Sequence, residues 1–319
     1  MTGKTVRNVE GKSRGCHLKY ALAFVAAMML SVPAAQGAYF ENAGMSARPV
    51  GMGGVFLAAG GTAADYWYNP AGLSMVTGRE AGLTYGLPAA VNDLSISQVN
   101  LVTPFGNGGL GVGIAYTGID VANDMVISGA YGRSLLSDRL NVGVNAKLMR
   151  WVLEGQDDLY TGGTDDDLSK MSFSLDLSAM YGLGDLFGLG DFTTGVYLKN
   201  AIVPNIAENG DEGGDLPLEA GIGLMMRRGD IAAEADVAFV DDVTFFRLGA
   251  ESGISGSNLK IRGGILFGSD FEDDTEETDL TLGLGYRFGT LAFDYALNWP
   301  MSGLKDTDGK HFISFGVSF

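Results

Sequence analysis

Large apolar residues alternate with small or ionised ones along much of the C-terminal half. In Leu280–Phe288 one set of positions is Leu280, Leu282, Leu284, Tyr286 and Phe288, and the interleaved set is Thr281, Gly283, Gly285 and Arg287. In the next run Leu291, Phe293, Tyr295, Leu297 and Trp299 stand against Ala292, Asp294, Ala296 and Asn298. At the end of the chain Ile313, Phe315, Val317 and Phe319 stand against Phe312, Ser314, Gly316 and Ser318, and Met171–Tyr181 and Ile231–Phe239 repeat the pattern. A period of two puts each set on its own face of a β-strand. A soluble sandwich would expose a face rich in Lys, Glu and Thr. Here the second face is mostly Gly, Ala and Ser, which suits a crowded interior better than a solvated surface. An apolar outer band around a polar interior is the pattern of a transmembrane β-barrel.

From Arg79 onward the chain reads as fourteen strands, centred on Leu83, Val99, Val112, Ala130, Val144, Leu175, Val196, Ile222, Ala235, Leu248, Ile261, Leu284, Tyr295 and Phe315. Each is expected to run ~9–11 residues, the length of a tilted spanning strand. An even number keeps both ends of the barrel on one side of the membrane. The junctions sort by parity. Gly155–Ser169, Ile202–Gly214, Ser269–Thr278 and Pro300–Gly309 are long and all odd-numbered. Phe105–Gly108, Ser137–Arg139, Arg227–Gly229, Ser255–Asn258 and Phe288–Thr290 are short and even-numbered, and only Leu183–Asp191 breaks the rule. Long loops on one side and tight turns on the other are the outer-membrane arrangement. Trp151 and Trp299 fall at loop ends, and Tyr131, Tyr181, Tyr286, Phe288 and Phe319 at turn ends, as two interfacial belts would.

Composition narrows the reading further. Gly is 49 of 319 residues, about twice the usual share. A formal charge of −17 and a pI near 4.4 leave no basic face for nucleic acid. Lys4, Arg7, Lys12, Arg14 and Lys19 precede an apolar run, Tyr20–Val32, and then Ala34, Ala35, Gly37 and Ala38. That order is a secretory signal peptide, with cleavage expected after Gly37. The run is shorter than the ~20 residues of a spanning helix. Cys16 lies before it, where a lipid-bearing Cys would not. With His311 the single His after the leader and no Cys there, a Cys/His metal site is excluded. No Ser has the context of a nucleophile elbow. Neither an enzyme nor a cofactor is expected. Gly106–Gly111 spells the dinucleotide fingerprint, but a strand follows it in place of a helix, so Asn107-Gly108 reads as a hairpin turn.

Residues 38–78 are not strand-like. They hold Gly51-Met52-Gly53-Gly54, Ala58-Ala59-Gly60-Gly61, a short helical candidate at Ala63–Tyr68, and Asn69-Pro70-Ala71-Gly72-Leu73. Eight strands can fill a barrel with their own side chains and 16–18 enclose a channel. Fourteen leave a lumen for this compact segment to plug. The expected organisation is therefore a signal peptide (1–37), an N-terminal plug (38–78) and a barrel (79–319): an all-β fold, a fourteen-stranded antiparallel transmembrane barrel in an outer membrane.

Ser46-Ala47-Arg48-Pro49-Val50-Gly51-Met52-Gly53-Gly54 with Tyr68-Asn69-Pro70-Ala71-Gly72-Leu73 resembles the plug of the FadL superfamily of outer-membrane proteins, and its PorV/PorQ branch in particular. Phe246–Glu251, Ile261–Gly264, Gly283–Gly289, Phe293–Ala296 and His311–Phe315 add to that resemblance. It implies a fourteen-stranded barrel with a plug. It leaves two jobs open: moving a hydrophobic substrate, as long-chain fatty acid transporters do through a lateral opening, or docking exported protein. A structural or adhesive surface barrel is the alternative of another class. The partners implied are outer-membrane lipid, the barrel-assembly machinery, for which the terminal Phe319 resembles the signal, and a hydrophobic small molecule or secreted protein.

The candidate site residues are of two kinds. Gly51, Gly53, Gly54, Asn69, Pro70, Ala71 and Gly72 form the plug, with Asn69-Pro70 read either as a hinge or as a plain helix stop. Lys147, Asp176, Lys199, Glu219, Glu234, Asp236, Arg247, Glu251, Lys260, Arg262, Arg287 and Asp294 share the inward parity. Of these Arg247, Glu251, Lys260, Arg262, Arg287 and Asp294 lie on neighbouring late strands, where they pair across the lumen, hold the plug or orient a carboxylate-bearing ligand. The acidic runs at 157–158, 165–167 and 270–277 lack an EF-hand spacing and read as solvated charge.

Overall fold

The computed structural model describes residues 46–87, 94–119, 122–153, 168–202, 204–205, 216–240, 242–270, 275–302 and 309–319. The expected signal peptide, the first residues of the expected plug and most of the acidic runs lie outside them.

Fourteen strands form one closed antiparallel barrel in sequence order. They are β1 (Glu80–Leu87), β2 (Ser95–Pro104), β3 (Gly108–Ile119), β4 (Ala122–Leu135), β5 (Leu140–Leu153), β6 (Leu168–Asp185) and β7 (Asp191–Lys199), then β8 (Glu219–Arg228), β9 (Ile231–Val240), β10 (Val243–Gly253), β11 (Leu259–Asp270), β12 (Thr275–Phe288), β13 (Leu291–Pro300) and β14 (Lys310–Ser318). β14 closes on β1, with Glu80 opposite Ser318 and Leu87 opposite His311. Strand lengths run from 8 residues in β1 to 18 in β6, a wider spread than the spanning length alone requires.

The two faces divide as the alternation predicts. Leu83, Val99, Val112, Phe173, Leu248, Leu282, Leu284 and Phe315 point outward and stay exposed, while Gln98, Asn145, Asp176, Glu234, Asp236 and Thr281 point inward and are buried. In a closed cylinder with no free strand edge, an exposed apolar band of this kind is satisfied by hydrocarbon chains. Among the described residues no helix is long and apolar enough to cross a membrane. Leu284→Arg puts a cation into this band and is expected to cost ~2–4 kcal/mol near mid-bilayer; denaturant unfolding in lipid vesicles checks it, and an unchanged midpoint would mean the faces are reversed.

Loop parity holds, with two corrections. Ser269–Thr278 is not a long connection: β11 continues to Asp270 and β12 starts at Thr275, so pairing extends past the apolar band. Leu183–Asp191 ceases to be an exception, because β6 continues to Asp185 across a register shift between Gly182 and Gly184. Every even junction is then a short turn.

The belt reading also needs one correction. Tyr286, Phe288, Trp299 and Phe319 are outward and exposed. Trp151 is not part of a belt. It shares the inward parity of Lys147 and Met149 and packs on the lumenal cluster around Tyr66 and Trp67.

The plug lies within this wall. Ala47–Val50 form a single helical turn (α1), followed by the tight turn Gly51–Gly54. The helical candidate at Ala63–Tyr68 reduces to a 3-10 turn at Asp65–Trp67, and a second 3-10 turn spans Pro70–Met75. Gly53 and Gly54 have φ of +73° and +80°, a backbone state that side-chain-bearing residues rarely adopt.

Candidate functional site: the plugged lumen

The inner face is glycine-rich where the plug backbone touches it. A Cβ on Gly195 of β7 would land on the Leu57 carbonyl, one on Gly249 of β10 on the Met52 carbonyl, and one on Gly143 of β5 on the Pro70–Ala71 peptide. Gly264 of β11 abuts Met52 and Gly53, and Gly51 of the plug meets Gly283 of β12 with 2.9 Å from its ideal Cβ to the Gly283 Cα. These contacts lie around the circumference, so the small-residue face is a socket shaped to main chain. Side chains fill what remains. Val55, Phe56, Leu57, Tyr66, Trp67 and Leu73 are all nearly or fully buried.

Polar contacts fix the seat. The Tyr66 hydroxyl lies 3.0 Å from Ser128 Oγ, and Trp67 Nε1 donates to Asn100 Oδ1 at 2.5 Å. Asn69 is fully buried; its Oδ1 accepts from Ala71 N at 3.0 Å, capping the 3-10 turn, and its Nδ2 donates to the Leu57 carbonyl. Ala71 N also donates to Ser178 Oγ of β6 at 2.9 Å. Asn69 and Pro70 therefore act here as a cap and a clamp between two passes of the plug.

The inward charges fall into three groups. In the first, Glu251 of β10 receives three cations: Arg48 of α1 through Nε and Nη2 at 3.1 and 3.2 Å, Lys260 at 2.7 Å and Arg262 at 2.7 Å. Arg262 reaches on to Asp294 of β13 at 2.6 Å. This joins four of the six late-strand candidates and adds Arg48, which sequence reasoning passed over. Arg287 makes no ion pair among the described residues and lines the cavity described below. Arg247 belongs to the second group, with Glu219, Tyr197, Lys199, Glu234 and Asp236. There the Tyr197 hydroxyl donates to Glu219, Lys199 pairs with Glu219 at 3.2 Å, and the Arg247 guanidinium lies over the Phe245 ring.

The third group sits towards the loop end. Lys147 pairs with Asp176 at 2.7 Å, Asn145 donates to Asp176 at 3.1 Å, and the Asn200 backbone N–H donates to Asp176 at 3.0 Å. Asn200, in the left-handed region with φ of +55°, donates through Nδ2 to the Pro217 carbonyl at 2.8 Å. Its neighbour Leu216 is buried against Tyr66, Trp67 and Trp151. The β7–β8 connection thus contributes side chains to the lumen from above, which nothing in its polar sequence announced.

At the turn end a cavity of about 350 Å³ remains below the plug. Ser46, Arg48, Glu80, Arg262, Arg287 and Asp294 line it together with turn residues Ser255–Asn258. Above it the lumen holds the buried plug side chains Val55, Phe56, Tyr66, Trp67 and Leu73. The arrangement separates a polar vestibule from an aromatic core.

No family model matches the chain, and no curated protein does. Solved structures match the fold. The toluene transporter TbuX of Ralstonia pickettii superposes with a TM-score of 0.66 at 14% identity, over 88% of this chain and 100% of that one. A deltaS2 mutant of the monoaromatic hydrocarbon channel TodX gives 0.66 at 13%, over 88% and 100%. The toluene transporter TodX of Pseudomonas putida gives 0.56 at 13%, over 86% and 97%. At these identities the likeness is one of fold. The FadL-type resemblance of the plug motif and tail fits this architecture: a closed fourteen-strand barrel with its N-terminal segment inside.

Proposed function

We propose that this chain is a non-enzymatic FadL-superfamily channel that passes a hydrophobic substrate across the outer membrane. The observation that carries the reading is the apolar plug packed inside the barrel. The plug is socketed by main chain against glycines, and its buried aromatics Tyr66, Trp67 and Phe56 offer an apolar solute a partner and water none. The likeness to channels described as carrying toluene and monoaromatic hydrocarbons supports a solute of that chemical class. Long-chain fatty acids are the second candidate, with cations such as Arg287 available at the vestibule for a carboxylate.

The finer placement in the PorV/PorQ branch rests on the motifs Ser46–Gly54 and Tyr68–Leu73 and on the tail, and it carries docking of exported protein as its function. Native mass spectrometry of detergent-extracted barrel separates these readings. A co-purifying lipid or hydrocarbon supports transport, and a stoichiometric secreted protein supports docking. Reconstituted vesicles should take up toluene faster than a hydrophilic solute of similar size. Equal rates for both would overturn the transport reading.

A further inference from the structure

Glu234 and Asp236 are two positions apart on β9, so both carboxyl groups face the lumen, where each residue is 3% exposed. Each gives one oxygen to the plug backbone. Glu234 Oε1 accepts from Ala58 N at 2.6 Å, and Asp236 Oδ2 accepts from Phe56 N at 3.2 Å. The remaining oxygens, Glu234 Oε2 and Asp236 Oδ1, are buried with no donor, and the two carboxyl groups crowd one spot above Gly223 of β8, whose ideal Cβ would collide with Asp236 Oδ1 and lie 3.2 Å from Glu234 Oε1. A buried acceptor without a donor is costly. One proton shared by the two carboxyl groups supplies the donor that the pair lacks.

Charge counting leads to the same place. Among the described residues, the ionisable groups around the pair are Arg247 on β10, opposite Asp236 in register, and Tyr197 on β7, with Glu219 on β8, Lys199 on β7 and Tyr68 of the plug beyond them. Lys199 is committed to Glu219. Arg247 then balances one negative charge of the pair, and a second would stand uncompensated in a water-poor lumen. Close carboxylates in such surroundings do not both ionise.

We propose that Glu234 and Asp236 share one proton at neutral pH, and that this carboxyl pair is the catch that holds plug segment Gly54–Ala59 on β9. Loss of the proton sets two like charges against each other beneath the plug and loosens that segment. Glu234→Gln mimics the protonated pair, because its Nε2 donates to Asp236 Oδ1 while its Oε1 still accepts from Ala58 N. Glu234→Ala removes the catch.

The test uses the full-length barrel in lipid vesicles. Infrared spectra at neutral pH should show a protonated-carboxyl carbonyl band that both Glu234→Gln and Asp236→Asn abolish. Exchange at the Phe56 and Ala58 amides should stay within about twofold of wild type in Glu234→Gln and rise roughly tenfold or more in Glu234→Ala. Raising the pH from neutral until the band disappears should speed that exchange in wild type and leave Glu234→Gln unchanged. A band that survives both isosteric variants overturns the shared proton. A Gln variant that frees the plug as the Ala variant does overturns the catch. If Glu234→Ala fails to assemble, the infrared comparison and the pH response of Glu234→Gln still decide.

Discussion

Removal of residues 38–78 is expected to raise small-solute leakage through the barrel by roughly tenfold or more, since fourteen strands without a filling approach the size that encloses an aqueous channel. Conductance in planar bilayers measures it, and an unchanged value would mean the strands collapse inward without the plug. The glycine socket allows a sharper version. Gly195→Val and Gly143→Val keep the whole plug but put side chains where Leu57 and the Pro70–Ala71 peptide now lie. The obstacle is main chain, which cannot rotate out of the way, so the plug must shift or the barrel must strain. Both variants should leak. Gly129 faces outward on β4 with nothing within 4 Å of a Cβ, so Gly129→Ala should behave as wild type.

The second large effect is expected at Glu251. Glu251→Leu removes the buried carboxylate on which Arg48, Lys260 and Arg262 converge, and it takes one of two carboxylate partners from Arg262, whose side chain is 3% exposed. Removing one partner of a buried ion pair costs about 3–5 kcal/mol, so the unfolding midpoint in vesicles should fall clearly. Lys260 is nearly half exposed and relaxes into water. Lys260→Ala should therefore cost about 1 kcal/mol or less. Equal losses for the two variants would mean that Glu251 is an ordinary surface charge.

Much of the fold was legible because a spanning strand must repeat one chemical choice many times. Lipid contact forces Leu280, Leu282 and Leu284 to be alike, and the alternation reports it directly. Loop parity was legible for a similar reason, since one side of the membrane receives every even junction. Residue type assigns Trp151 to a belt, but parity overrules it: Lys147 faces inward, and Trp151 is four positions further along the same strand. The extension of β11 and β12 to Asp270 and Thr275 was hidden because strand pairing continues through acidic sequence once the membrane is left behind.

The site was legible in part. Charges on adjacent strands, such as Lys260, Arg262 and Glu251, meet because register brings them together, and register follows from short turns. Arg48 was not found, since its partner lies 203 positions away and only the path of the plug joins them. Glycines 143, 195 and 249 could be seen as small and inward. Nothing in their own sequence says that they face a peptide backbone instead of water.

The seam between β14 and β1 carries a consequence for how the molecule is made. Ser314 of β14 accepts from Ala47 N, and Glu80 of β1 accepts from Ala63 N, so the two strands that meet there also grip the filling. The plug precedes the first strand, while its last grip comes from the final one. The cylinder is thus wrapped around its contents, and biogenesis is an act of enclosure in which a mispositioned cargo would leave the two margins unable to zip.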